Sequence, residues 1–479
     1  MTQATTSAGV VHGESVDGVR IFRGIPYAAP PVGERRWRAP APVEPWTGVL
    51  DATRFGNDCP QRSALPLGSR AAGQSEDCLT LNVWAPEQAV GLPVMVWIFG
   101  GSFVYGSGAE DRADGMPFAR DGIVYVSINY RVGMFGFLAH PELTAEAGAS
   151  GNYGLLDQIA ALHWVQGNIA AFGGDPTRVT LFGVSAGAAS ISLLATSPLA
   201  TGLFAQMILQ SPGAFRPLAT LADAEAAGAA LAPSIQALRA LSADELLDRQ
   251  KQLESAVRSL TKPRILRPIR DGQVVVEDDR DAYLGGRFAK VPAIIGSVAD
   301  EGSAAVASWP VKTPKEFQAL LATTFGDQAK DAAPLYPAPV AVGLGELFGD
   351  TQFTYGVAAL SQVFADFGLP IYRYVFTRIQ PGKATPMRHS EDVSYVFRRP
   401  ELPPRGETDH RFDTDDLQLA DRVHADWVAF AKTGDPGPAW PRYRPGTATL
   451  MDYGVRPTLR AGWRDAQMAF LDRFFDPED

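Results

Sequence analysis

From residue 179 to residue 190 the chain reads VTLFGVSAGAAS. Four strand-forming residues lead into Gly183-Val184-Ser185-Ala186-Gly187, and a run of small residues follows. A serine hydroxyl is a weak nucleophile. It attacks a carbonyl only when it is exposed, rigidly held and served by a base. A G-x-S-x-G segment on a sharp strand-to-helix turn meets the first two needs. The turn lifts Ser185 above the sheet, and glycines two before and two after let the strand and helix backbones cross closely. The chemistry this predicts is acyl transfer.

Acyl transfer also needs N–H donors where negative charge develops on the carbonyl oxygen. The N–H of Ala186, at the start of the new helix, is one. The Gly-rich loop in VWIFGGSF (96–103) offers Gly101 and Ser102. The base must be a histidine, and the chain has six. In a strand-turn-helix serine site the order is Ser, acid, His. His12, His140 and His163 precede Ser185 and drop out. His424 falls inside an amphipathic pattern and reads as packed, and His410 sits in the charged loop RGETDHRFD. His389 follows the apolar run IYRYVFT through a loop, which is the expected place. The acid is Glu301 or Asp300, both in IIGSVADEGS at the end of another apolar run.

These residues need a scaffold. LTLNVWA (79–85), PVMVWIFG (93–100), IVYVSINY (123–130), VTLFG, FAQMILQS (204–211), VPAIIGSV (291–298) and IYRYVFT (371–377) are strand-like. Helix-period stretches alternate with them, GLLDQIAALHWVQGNIAAF (154–172) and LQLADRVHADWVAFAKTG (417–434) most clearly. That alternation predicts an α/β fold, a large mostly parallel sheet with helices on both faces. The chain reads as one domain over 1–479, and about 220–365 as helical insertions covering the strand ends where ligands bind.

Composition narrows the class. Formal net charge is −10 at pH 7, which disfavours nucleic acid and anionic lipid as partners. No apolar run approaches a bilayer span. The N-terminus has neither a basic nor an apolar leader region, so a cytoplasmic protein is expected, or a secreted or periplasmic one if a leader was trimmed. Two cysteines, Cys59 and Cys78, are too few for a disulfide scaffold or a four-thiolate zinc site; they lie 19 apart and either bridge or stay as buried thiols.

Longer segments carry a resemblance. EDCLTLNVWAP (76–86) resembles the signature of type-B carboxylesterases, the family of para-nitrobenzyl esterases and cholinesterases. FRGIPYAAPPVGERRWRAP, the stretch from GNYGLLDQ to GVSAG, and ADEGS are similar to family segments in the same order. The resemblance spans about residues 8–440. It implies an α/β-hydrolase fold, ester hydrolysis without cofactor or metal, and a small-molecule ester substrate reached down a gorge. It maps the nucleophile to Ser185, the acid to Glu301 and the base to His389. The oxyanion donors map to Gly101, Ser102 and Ala186, a supporting hydrogen-bond donor to Ser211, and a disulfide to Cys59–Cys78. A monomer or homodimer is expected.

The departures are informative. The acidic residue usual before the nucleophile is Val184, and no tryptophan lies between the cysteines. The residues after Glu301 are small (SAAV) where cholinesterases carry aromatics, so a cholinesterase is not expected. Phe103, Val184 and Arg388 are candidate substrate contacts. Arg264, Arg267 and Arg270 in PRILRPIRDG, with Arg388, raise polycarboxylate esters such as mycotoxin side chains as an alternative substrate class. A non-catalytic binding or adhesion member of the same fold is the alternative of another kind.

Overall fold

The computed structural model describes residues 2–62, 68–253, 259–336, 339–403, 410–447 and 449–475. The strand-like runs join one 13-stranded sheet. Its centre is parallel, with Val124–Ile128, Leu92–Ile98, Gly174–Val184, Gln206–Gln210, Ala293–Val298, Ile371–Phe376 and Thr449–Tyr453 side by side in that order. Antiparallel strands extend both edges, so the sheet is mixed and parallel where it matters for the site. Ala293–Val298 and Ile371–Phe376 are buried along their whole length, as unbroken apolar runs covered on both faces should be.

Helices cover the sheet as the periodicity predicts. Thr414–Thr433 starts at a capping box made by Asp413 and Asp416 and stops at Gly434, left-handed with φ 75°. The pattern over 154–172 resolves into a helix, Tyr153–Asn168, and a tighter turn, Ile169–Phe172. Between 220 and 365 short helices dominate, interrupted by the central strand Ala293–Val298. His424 is fully buried, its Nδ1 on Val396 O at 2.7 Å, as a packed histidine should be. His410 bonds Pro400 O; residues 404–409 beside it lie outside the described residues.

One implied feature differs. Cys59 and Cys78 are free, buried thiols rather than a bridge. The hydrogen bond to Cys59, with burial, pushes the Cys78 thiol well above its usual range. Thiol exchange runs through the thiolate, so Cys78 is a poor attacking group while buried.

The crossing at Ser185 is as tight as its glycines suggest. A Cβ on Gly187 would lie 1.9 Å from Ile98 O, and one on Gly183 2.5 Å from the same atom. Both contacts are with backbone, which cannot rotate away. Gly187→Ala is therefore expected to destabilise the protein by roughly 1–3 kcal/mol, the range for overpacking a closed core. Urea denaturation measures this; an unchanged midpoint would contradict the steric argument.

Candidate active site

Five neighbouring parallel strands end on the same side of the sheet, and each delivers one part of the site. Leu92–Ile98 runs into Gly100-Gly101-Ser102, Gly174–Val184 into Ser185, and Gln206–Gln210 into Ser211. Ala293–Val298 leads to Glu301, and Ile371–Phe376 leads through a loop to His389. Residues nearly three hundred positions apart, from Gly100 to His389, thus converge because parallel strands share a direction.

Backbone strain concentrates here. Among the described residues eleven non-glycines have positive φ, and Ser102, Phe103, Ser185, Ser211, Leu266 and Ser390 are six of them. Such conformations persist only where surrounding structure holds them. Ser185, at φ 56° and ψ −120°, is held by its N–H donating to Gln210 O at 2.9 Å. Gly101 (φ 127°) has no room for a side chain: a Cβ would lie 2.0 Å from Tyr105 O.

Glu301 is 4% exposed and fully engaged. Its Oε1 accepts from Ser211 Oγ at 2.6 Å and from Val298 N at 2.8 Å. Its Oε2 pairs with Nδ1 of His389 in a short hydrogen bond. Asp300, the rival acid, instead caps the turn at Ser303, accepting from its N–H at 2.9 Å. Ser185, Glu301 and His389 all line one cavity of about 420 Å³. Among the described residues the Ser185 hydroxyl and the His389 ring make no hydrogen bond; in enzymes without substrate this contact is often loose and tightens in the complex.

A second cavity, about 390 Å³, meets the first at Ser185. Ser102, Ser185, Phe348 and Phe353 line both. The two differ in charge. The 420 Å³ cavity has mixed charges that pair off, Arg112 with Glu110 at 2.8 Å and Arg388 with Glu391 at 2.8 Å. The 390 Å³ cavity is lined by Arg216, Arg264 and Arg267 and, among the described residues, by no carboxylate. Arg264 donates to Gln352 Oε1 at 3.2 Å, and the Arg267 guanidinium lies 5.4 Å from the centre of the Phe103 ring. Asp279, within electrostatic reach of Arg267, accepts from Phe215 N at 2.9 Å, and burial pushes its carboxyl up to about 6.

Of the sequence candidates, Phe103 lines the arginine cavity, and Val184 and Arg388 line the other. Arg270 belongs to neither and pairs with Asp278 at 3.2 Å. Sequence reasoning missed Arg216, Gln352, Phe348 and Phe353. It also missed Asp392, a fully buried carboxyl that accepts from Gln210 Nε2 at 3.0 Å and Tyr374 OH at 3.1 Å and is raised by desolvation. None carries a local motif: Arg216 follows the marked Ser211 by five residues and Asp392 follows His389 by three, while Phe348, Gln352 and Phe353 lie in the helical stretch far from any marked run.

The chain is similar to known proteins. The chain is 47% identical over 455 residues to a fumonisin B1 esterase of Sphingopyxis macrogoltabida, covering 91% of this chain and 84% of that protein. It is 37% identical over 461 residues to the para-nitrobenzyl esterase of Bacillus subtilis (strain 168), covering 92% and 93%. Two solved structures of PNB esterase superpose with TM-scores of 0.86 and 0.84 at 32% and 34% identity, each covering 98% of this chain and 99% of the other. The fold is that of the α/β-hydrolases. No helix among the described residues is long and apolar enough to cross a membrane. The profile of the carboxylesterase family matches residues 1–471, and the chain belongs to that family, as a carboxylic ester hydrolase of type B.

Proposed function

We propose that the chain cleaves esters through an acyl-enzyme on Ser185, with His389 as general base and Glu301 as the acid that orients it. The hydrogen bond between Glu301 Oε2 and His389 Nδ1, on the wall of the cavity that Ser185 also lines, carries this reading. His389 Nε2 takes the Ser185 proton as Oγ attacks the ester carbonyl. Glu301 fixes the tautomer and stabilises the imidazolium. The N–H groups of Gly101, Ser102 and Ala186 receive the oxyanion. Collapse expels the alcohol, which takes the proton from His389; water, deprotonated by the same ring, then releases the acid. The helical insertions over 220–365 are assigned the roof of the two cavities. An activity-based fluorophosphonate probe tests the assignment, because only an activated serine reacts. Labelling of Ser185, read by peptide mass, is expected. Labelling at another residue would move the nucleophile away from Ser185, and no labelling would favour the non-catalytic binding reading; either overturns the assignment.

The proton delivery also sorts the substrate. The leaving oxygen must reach His389, so the alcohol occupies the 420 Å³ cavity and the acyl group the one lined by three arginines. That favours esters whose acid portion bears further carboxylates, and it suits the likeness to a fumonisin B1 esterase, whose named substrate becomes a candidate here. Arg267→Gln is expected to lower kcat/KM for a p-nitrophenyl hemisuccinate about tenfold, the worth of one well-placed charge contact. The neutral p-nitrophenyl butyrate should change less than twofold. Equal effects on the two esters would remove Arg267 from substrate recognition.

A further inference from the structure

The wall common to both cavities is built on an irregular helix. Between the helices Val340–Gly349 and Tyr355–Asp366 lies a π-helical turn, Asp350–Thr354. In a regular helix, at ~100° per residue, position 353 would sit about 140° around from Phe348. The wider turn, bonded i to i+5, brings it back beneath that residue. Phe348 and Phe353 therefore share one face, their ring centres 6.4 Å apart. Single π turns of this kind recur at functional sites.

The turn is anchored from three sides. Asp350 pairs with Arg464 at 2.7 Å, and Gln352 donates to Leu260 O at 3.0 Å. Gly345 and Gly349 lie directly against Gly302 and Glu301: a Cβ on Gly302 would be 1.9 Å from Gly345 O, and one on Gly349 2.9 Å from Glu301 Cβ. The helix thus rides on the backbone that carries Glu301. From there the Phe353 ring stacks on His389, with centres 4.2 Å apart and planes 28° from parallel. Glu301 holds the imidazole by its edge at Nδ1, and Phe353 covers one of its faces.

We infer that Phe353 is a positioning residue for the ester hydrolysis, holding His389 by its ring face and favouring the imidazolium that forms in each transition state. This rests on the assignment of His389 as the base. An aromatic face carries negative quadrupole charge, so it attracts a cation stacked on it, more strongly where water is excluded. The imidazole is charged only while Oγ or water attacks, so the contact strengthens in the transition state and not in the resting enzyme. Phe353 also lines both cavities, beside Ser185.

Phe353→Leu and Phe353→Tyr separate this role from space filling. Leucine keeps apolar bulk without a ring; tyrosine keeps the ring. On p-nitrophenyl butyrate, Phe353→Leu is expected to lower kcat about three- to tenfold with KM within twofold, the range for a cation on an aromatic face. Fluorophosphonate labelling of Ser185 should slow by the same factor. Phe353→Tyr should stay within twofold of wild type in both. Leucine performing like wild type, or tyrosine no better than leucine while both keep the wild-type Tm and circular dichroism, would overturn the inference. Ser185→Ala serves as the control: if it stays active, the triad assignment fails as well, whereas an inactive Ser185→Ala beside an unimpaired Phe353→Leu defeats the role of Phe353 alone.

Discussion

Ser185→Ala is expected to lower kcat on short p-nitrophenyl esters by about four orders of magnitude or more, the scale seen when a serine nucleophile is removed. The fold should not notice. The alanine occupies the same strained backbone, and the N–H to Gln210 O bond that holds the turn is untouched. The hydroxyl makes no hydrogen bond to His389 that its loss would orphan among the described residues. Tm and circular dichroism should therefore match wild type, and a bound ester should persist, because the oxyanion donors and both cavities remain. Turnover within tenfold of wild type would take Ser185 out of the nucleophile's role. A large fall in Tm would instead show that the side chain supports the turn itself.

Much of this could be read before folding, because the parts that position Ser185 are local. A strand, a glycine pair and a helix start are encoded within a dozen residues, and steric closeness leaves glycine as the answer at 183 and 187. His389 was legible by elimination, from chain order and only six histidines. Position alone left the acid open, because Asp300 and Glu301 are adjacent and share a strand end; the family resemblance favoured Glu301, and in the fold it is Glu301 that meets His389 while Asp300 turns back to Ser303. The arginines show the same limit. Arg264, Arg267 and Arg270 are evenly spaced in the sequence, yet the first two face the cavity and the third pairs with Asp278 outside it. Segment 259–272 is irregular, so no period tells which way a side chain points. Phe353 was invisible for a sharper reason. Its position depends on a π turn, and a reading at α-helical period places it on the wrong face.

Glu301→Gln is expected to cost about three to four orders of magnitude in kcat, and the reason lies in its three donors. Ser211 Oγ and Val298 N both give to Oε1, and His389 Nδ1 pairs with Oε2. A carboxylate accepts all three; an amide has one oxygen and one N–H₂. With the amide oxygen on Ser211 and Val298, the N–H₂ faces Nδ1. That nitrogen must then accept, so the ring proton moves to Nε2, which is the atom that has to receive the serine proton. The ring sits in place with the wrong tautomer, and catalysis is lost through the proton's address and not through distance. With the amide flipped, its N–H₂ meets the Val298 N–H in a buried site, leaving donors unsatisfied at a cost of about 1–3 kcal/mol. Either arrangement should be visible: the first as lost turnover and slow fluorophosphonate labelling at unchanged Tm, the second as a smaller loss, since the amide oxygen still accepts from Nδ1 and only the charge is missing, with a lower Tm. Asp300→Asn is the matched comparison. Asparagine keeps an oxygen for the Ser303 N–H and gives up only the second acceptor, for Ser303 Oγ, so kcat should stay within twofold and Tm close to wild type. The reverse pattern, an active Glu301→Gln beside an inactive Asp300→Asn, would hand the role to Asp300, which reaches His389 only if the loop after Val298 rearranges around substrate.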